Sequence, residues 1–130
     1  MECVTGIGGL FFRARDPKAL AQWYARHLGI RLTGERYEDG SWWQDEGPTV
    51  FEPFPADTEY FGRHTQAWMI NLRVRDLDAM VVQLRKAGIA VDVDPRVHPN
   101  GRFARTHDPE GNPIELWEPG GTDASRPVAS

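Results

Sequence analysis

The sequence predicts an α+β fold in which two β-α-β-β-β modules form a curved mixed sheet with a cleft. The first observation is an internal repeat, because residues 10–32 and residues 70–91 read nearly alike. The matched pairs, at an offset of 60, are Arg13 and Arg73, Arg15 and Arg75, Asp16 and Asp76, and Ala19 and Ala79. Such a repeat indicates two copies of one supersecondary unit. The second observation is that apolar runs and turn residues follow the same order in both halves.

Each module opens with a predicted strand followed by a predicted helix. Apolar runs over residues 9–15 and 69–75 predict the strands. Each run meets an aspartate, Asp16 or Asp76, whose carboxylate can accept a hydrogen bond from the first backbone amides of a helix. Apolar residues then recur every three to four positions, as on a helix packed along one side. The glycines placed to end these helices in a left-handed conformation are Gly29 and Gly88.

Three short extended segments follow each predicted helix. They are residues 30–37, 41–45 and 49–54 in the first module, and residues 90–97, 102–107 and 113–118 in the second. We expect a single domain over residues 1–119, with module one at about 7–54, a linker at 55–65 and module two at about 67–119. The composition of residues 120–130 predicts a flexible tail.

The composition of the chain argues against nucleic acids and membranes as binding partners. The 130-residue chain has a net charge of −4, whereas nucleic-acid binding favours a basic face. It has no apolar run of membrane-spanning length, so we expect neither nucleic acid nor membrane as a partner. The first residues lack the order of a secretory signal, and Cys3 is the single cysteine. Both observations favour a reducing, cytoplasmic location.

Residues 108–116, which read DPEGNPIEL, form the most specific motif of the chain. With the repeat and the two strand-Asp-helix openings, this motif resembles the vicinal oxygen chelate superfamily, the group of glyoxalase I, bleomycin-resistance proteins and extradiol dioxygenases. The resemblance covers residues 7–119. It implies a small-molecule ligand in the cleft and a homodimer, since many members pair their modules across subunits.

The resemblance also implies where a metal would bind. Metal-dependent members use a histidine in the opening strand and a carboxylate in the closing strand of each half. Here Gly9 and Met69 stand at the histidine positions, and neither suits a hard or borderline cation. The carboxylates that remain are Glu115 and Glu52, although a one-residue shift would replace Glu52 by Phe51. We expect no cofactor; a hydrated divalent ion on the two carboxylates is the alternative.

Strand alternation predicts which side chains face the cleft, because successive residues point to opposite faces of a sheet. The side chains expected to pack against the helices are Leu10, Phe12, Ala14, Ile70, Leu72 and Val74. The predicted ligand-binding residues are Phe11, Arg13, Met69, Asn71, Arg73, Glu115, Trp117 and, at the rim, Trp42. Aromatic walls with a few polar groups suit a flat organic ligand.

Several of these residues have a structural alternative. Arg13 and Arg73 can pair with Glu115 or Glu52 instead of with a ligand. The catalytic candidates are Glu115 and His107, as acid or base. For Glu115 the alternative is a buried, paired carboxylate, and for His107 it is a surface role beside the closing turn.

The sequence leaves three functions open, and with them the question of whether the chain is an enzyme. The first is a binding protein like those of bleomycin resistance, which holds an aromatic or antibiotic-like molecule in a metal-free cleft. The second is a glyoxalase-like lyase or isomerase, or a dioxygenase, that uses Glu52 and Glu115 with a divalent metal. The third is a non-catalytic dimeric interaction module.

Overall fold

The computed structural model describes residues 1–31 and 37–128. In chain order the elements are helix α1 (Pro17–Leu28), strand β1 (Ile70–Arg73), helix α2 (Leu77–Lys86), and strands β2 (Asp92–Val93), β3 (Gly101–His107) and β4 (Pro113–Pro119). Short 3-10 turns lie at Tyr37–Asp39 and Gly121–Asp123. The predicted α+β class with a mixed sheet is confirmed.

The four strands form one open sheet in the order β1-β4-β3-β2. Strand β1 runs parallel to β4, and the other two pairings are antiparallel. The second module is therefore complete as predicted, with α2 as the crossover between β1 and the three strands that follow. The register places Asn71 beside Glu115, and Glu115 beside Arg105.

Both helices begin and end as the sequence predicts. The carboxylate of Asp16 accepts a hydrogen bond from the Ala19 amide at 3.1 Å, and that of Asp76 accepts one from Ala79 at 3.0 Å. Gly29 follows α1 with φ of 71°, and Gly88 lies just beyond α2 with φ of 81°. These left-handed positions favour glycine because it has no Cβ.

The segment of residues 108–118, which contains the 108–116 motif, attaches both helices to the sheet. The Glu110 carboxylate accepts hydrogen bonds from the backbone amides of Arg15 and Asp16 at the start of α1, at 2.6 and 3.1 Å. Glu118 does the same for Leu77 at the start of α2, at 2.9 Å. The first amides of a helix lack partners within it, so these two glutamates satisfy donors that the helices leave free.

Asp108 joins the same motif to the first helix. Its buried carboxylate accepts a hydrogen bond from the Tyr24 hydroxyl at 2.7 Å and also bonds the Asn112 side chain at 2.7 Å. Burial, together with this bond to Asp108, raises the pKa of Tyr24 above its ordinary value. Tyr24 therefore stays protonated and keeps donating throughout the neutral range.

The hydrophobic core lies between the two helices and one face of the sheet. Its buried members include Leu20 of α1, Leu77 and Leu84 of α2, and Ile114 and Leu116 of β4. The side chains of β1 that alternation assigned to the helix side do pack against this cluster, namely Ile70, Leu72 and the following Val74. The opposite face of the sheet is left for the polar side chains.

The strands predicted for the first module are not formed in the described part of the chain. Residues 9–15, 41–45 and 49–54 run without strand pairing, and most of the segment predicted at 30–37 lies outside the described residues. Of the side chains expected to pack inward, Ala14 contacts the core, but Leu10 and Phe12 are 48% and 38% exposed. A strand needs a neighbour for its backbone amides and carbonyls, and the described chain brings none beside these segments.

The domain boundaries predicted from sequence remain predictions. Beyond residue 119 the chain stays close to the sheet for a few residues, where the Thr122 amide donates to the Pro99 carbonyl at 2.9 Å. In the described residues, neither helix has the length and apolar character needed to cross a membrane.

We expect Tyr24→Phe to lower the free energy of unfolding by about 1.5–3 kcal/mol, because the buried Asp108 carboxylate loses a donor. Urea unfolding followed by circular dichroism measures the change. Tyr60→Phe is the control: Tyr60 is 38% exposed, so water can replace its hydroxyl and the loss is smaller. An unchanged unfolding free energy in Tyr24→Phe would contradict the role assigned to this bond.

Candidate functional site

The face of the sheet opposite the helices carries most of the second-module side chains predicted to line the cleft. Asn71, Glu115 and Arg105 lie side by side across β1, β4 and β3, because the register pairs them. We call this surface the Glu115 face. It comprises Met69, Asn71, Arg73, Phe103, Arg105, Glu115 and Trp117.

Glu115 is held at the centre of this face by two donors. The Asn71 side-chain amide donates to Oε1 at 2.8 Å, and the Tyr60 hydroxyl donates to Oε2. Both carboxylate oxygens are therefore engaged and the half-buried side chain has a fixed orientation. The structure favours the paired-carboxylate alternative for Glu115, because both of its oxygens accept a hydrogen bond from a neighbouring side chain.

Arg105 brings a cation to the face, opposite Glu115 in the register of β3 and β4. Its guanidinium donates to the Tyr60 backbone carbonyl at 2.7 Å and lies 3.7 Å from the Met69 sulfur. The guanidinium carbon is also 4.4 Å from the centre of the Tyr60 ring, which is a cation–π distance. The Arg105 Nε is buried and finds no acceptor in the part of the chain that the structure describes.

The linker between the modules forms an aromatic wall over the Glu115 face. The Tyr60 ring stacks on Phe54 at 5.8 Å with an interplanar angle of 20°, and Phe54 contacts Phe61 at 5.1 Å. Burial, followed by the hydrogen bond to Glu115, raises the pKa of Tyr60 to about 12. At neutral pH Tyr60 is therefore a neutral phenol that donates a hydrogen bond to Glu115.

Arg73 holds a segment of the first module against the Glu115 face. We call residues 45–49 the strap. The guanidinium donates to the carbonyls of Asp45 and Pro48, both at 2.8 Å, and to Thr49 Oγ1 at 3.2 Å. A Cβ at Gly47 would lie 2.5 Å from the Arg73 Nε, so a larger residue there would require the Arg73 side chain to shift. Pairing of Arg73 with Glu115 or Glu52 is not observed, because these oxygens occupy its donors.

Trp117 forms the floor of the face at the end of β4. It is 1% exposed, its Nε1 donates to the Asn100 carbonyl at 2.9 Å, and its ring lies parallel to that of Phe103 at 6.1 Å. The side chain therefore supports the surface from beneath and presents little area of its own.

The predicted site residues of the first module are not brought together with Glu115. Phe11 is 97% exposed, Arg13 is exposed, and Trp42 is 40% exposed in a segment without strand structure. Glu52 is also exposed. Their roles in ligand binding stay predictions, since no contact among the described residues places them on the Glu115 face.

His107, the second catalytic candidate, lies at a different place. It is exposed at the end of β3 and lines an open cavity of about 260 Å³ together with Trp23, Ile89, Ala90, Asp108 and Pro109. This cavity shares no residue with the Glu115 face. The structure thus gives Glu115 and His107 no common site.

The residues present do not fit the metal site that the family resemblance implies. Across residues 1–31 and 37–128, no group of three or more His, Cys, Asp or Glu side chains is placed to hold an ion. Glu115 has both oxygens engaged by Asn71 and Tyr60, and Gly9 and Met69 offer no imidazole. We therefore derive no chemical step through a metal.

Four residues of the site were missed by the sequence analysis. Phe103 and Arg105 are two positions apart on β3, so extending the alternation rule to that strand would have placed both on one face. Tyr60 and Phe54 reach the face from the linker and its edge, which have no periodicity. No signal in the sequence could have placed those two rings.

Comparisons with known proteins agree with this fold. The family model of the glyoxalase-like domain matches residues 9–117. TnmS3, an antibiotic binding protein from Streptomyces sp. CB03234, is 24% identical with a TM-score of 0.61, over 92% of this chain and 100% of that one. A member of the glyoxalase/bleomycin resistance protein/dioxygenase superfamily from Sphaerobacter thermophilus DSM 20745 is 19% identical with a TM-score of 0.50, over 81% and 90%. No curated protein matches the chain.

We expect Arg73→Ala to release the strap, because the carbonyls of Asp45 and Pro48 lose their shared donor. Hydrogen exchange of the peptide around residues 42–52 should become faster. Arg75→Ala is the matched control. Arg75 forms an ion pair with Asp45 in which the two side chains are 91% and 89% exposed, and such exposed pairs contribute little to stability. Equal exchange in the two variants would show that Arg73 does not hold the strap.

Proposed function

The chain belongs to the glyoxalase-like domain family, and from that premise we propose that it binds a small aromatic molecule at the Glu115 face without a metal. The observation that carries the proposal is the fixed carboxylate of Glu115 between Asn71 and Tyr60, with Arg105 alongside. Ligand sites combine apolar walls with a few fixed polar groups that orient the ligand. The Glu115 face combines an aromatic wall with fixed polar groups.

The wall of the site supports an aromatic ligand in particular. The Phe54 ring is 39% exposed and stacks on the Tyr60 ring beside Glu115, so it offers a face on which the ring of a ligand packs. Stacked and edge-to-face rings gain energy beyond their buried area. TnmS3, whose fold this chain shares, is an antibiotic binding protein, and that description supports an antibiotic-like ligand here as well.

A metal-dependent lyase, isomerase or dioxygenase is the alternative, and the donor set weighs against it. The two carboxylates that remain are in different surroundings, with Glu115 engaged on the sheet and Glu52 exposed in the first module. Two carboxylates without imidazole do not make the site that polarises a substrate oxygen.

We use 2-naphthol as a neutral aromatic probe and expect it to quench tryptophan fluorescence when it binds. Its affinity should be the same with and without a metal chelator. Phe54→Ala should weaken this binding by about three- to tenfold, because the ligand loses one ring of the wall. Val82→Ala is the control, since Val82 is exposed on α2, away from this face. Failure of the probe to bind would contradict the proposal.

Elemental analysis of protein purified without a histidine tag separates the two alternatives. The metal-free proposal expects no ion whose content depends on Glu115 after incubation with nickel, zinc, manganese or ferrous iron. About one ion per chain, lost in Glu115→Ala, would favour the metal-dependent enzyme and would overturn the metal-free site.

We further propose that the functional unit is a homodimer. The first module exposes large apolar side chains, with Phe11, Trp43 and Phe51 at 97%, 90% and 85% exposure. The outer edge of β1 carries no partner strand in the described chain, and residues 9–15 repeat the pattern of the segment that forms β1. An exposed apolar segment with the sequence pattern of a strand, together with an open sheet edge, favours pairing between chains.

We expect analytical ultracentrifugation to give a mass of about twice the 14.7 kDa of one chain. Phe11→Asp should shift the protein towards the monomer, because a charge would then be buried at the interface. Val97→Asp is the control, as Val97 is 78% exposed in the loop before β3. A monomeric wild-type protein at micromolar concentration would contradict the homodimer.

A further inference from the structure

The Tyr60 side chain occupies the Glu115 face in the way a bound molecule would. Its hydroxyl donates to Glu115, its ring lies 4.4 Å from the Arg105 guanidinium, and the same ring stacks on Phe54. We propose that Tyr60 stands in for the ligand, and that the ligand is a neutral phenol that displaces it. This inference rests on the proposed function, because it names the chemical class that the same site binds.

The three contacts of Tyr60 together select a hydroxyl-bearing aromatic ring. Glu115 is held by Asn71 at Oε1, so Oε2 is the oxygen that accepts from an incoming donor. Arg105 favours an aromatic ring at this position, because its guanidinium lies over the face of the Tyr60 ring. An aryl carboxylate would meet the negative charge of Glu115, and an aryl ether would bring no proton to donate. A neutral phenol satisfies all three groups.

Tyr60 can leave the site without unfolding the linker. Its side chain is 38% exposed, and its backbone is held separately by the bond from Arg105 to its carbonyl at 2.7 Å. Two turns in the linker do not depend on the Tyr60 side chain. In them the Thr58 amide donates to the Pro55 carbonyl and the Gly62 amide donates to the Glu59 carbonyl. Rotation of the side chain would therefore break the contacts to Glu115 and Phe54 while the backbone stays in place.

Arg105 gives the exchange a further driving force. With Tyr60 in place, the buried Nε of Arg105 has no acceptor in the described chain, and an unpaired buried donor is unfavourable. Tyr60 carries a single oxygen on its ring, and that oxygen is already bonded to Glu115. A phenol with a second oxygen beside its hydroxyl, as in a hydroxyquinone or a catechol ether, could supply the missing acceptor.

Two matched probes and three variants test the inference. 2-Naphthol and 2-methoxynaphthalene present similar rings, but the methyl ether has no proton to donate to Glu115. We expect wild-type protein to prefer 2-naphthol by about tenfold or more, the ratio typical of a hydrogen bond to a charged group. Glu115→Gln should reduce this preference, because a neutral amide oxygen accepts a weaker hydrogen bond from 2-naphthol and also holds Tyr60 less firmly against 2-methoxynaphthalene.

Removing the internal phenol should strengthen binding. We expect Tyr60→Ala to bind 2-naphthol more tightly than the wild type, by about tenfold, because the probe no longer displaces a charged hydrogen bond. Tyr60→Phe keeps the ring and removes only the hydroxyl, so its affinity should fall between the two. It also keeps the test valid if Tyr60→Ala does not fold, which circular dichroism shows.

The outcomes separate this inference from the proposed function. If both probes bind with equal affinity, or if neither Tyr60 variant gains affinity for 2-naphthol, the phenol-exchange model is wrong while aromatic binding stands. If neither probe binds to the wild type or to any variant, the proposed function and the inference both fail. A preference for 2-naphthol that depends on Glu115, with gains in both Tyr60 variants, supports the inference.

Discussion

The arrangement of this chain depends on one buried carboxylate, that of Asp108. It accepts hydrogen bonds from the backbone amides of Glu110 and Asn112, from the Asn112 side chain and from the Tyr24 hydroxyl. Three of these bonds shape the turn between β3 and β4, and the fourth holds α1. An unpaired carboxylate is costly to bury, so turn, strands and helix must assemble together. The turn sets the register of β4 against β3, and that register positions Glu115.

One strand separates core from site. On β4, Ile114 and Leu116 are fully buried among the helices, while Glu115 and Trp117 point to the opposite face. A slip of one residue would exchange the two sets, so the same packing that stabilises the fold also orients the carboxylate. Beneath this face, the buried Trp117 side chain is held in place by its hydrogen bond to the Asn100 carbonyl. The floor of the Glu115 face is thus part of the rigid sheet.

The cover of this face is built differently from its floor. The strap and the linker are held by bonds from arginine side chains to backbone carbonyls, with Arg73 on Pro48 and Arg105 on Tyr60, and not by strand pairing. Segments with few backbone bonds open at lower free energy than strands do. A stable floor under a more easily opened cover is suited to taking up and releasing a small molecule. The first module exposes large apolar side chains, and in the proposed homodimer a second chain would cover them.

The sequence by itself determined the helix limits, the second module and the position of Glu115. Caps such as Asp16 and turns such as residues 108–113 act over a few residues, and strand alternation needs only neighbouring positions. Tertiary structure decided that Tyr60 and Arg105 meet at Glu115, and that the first-module strands do not form in the described part of the chain. Both depend on which distant segments come together. Pairing between distant segments follows from the packing of the whole chain, and of a second chain where there is one, and local residue patterns do not encode it.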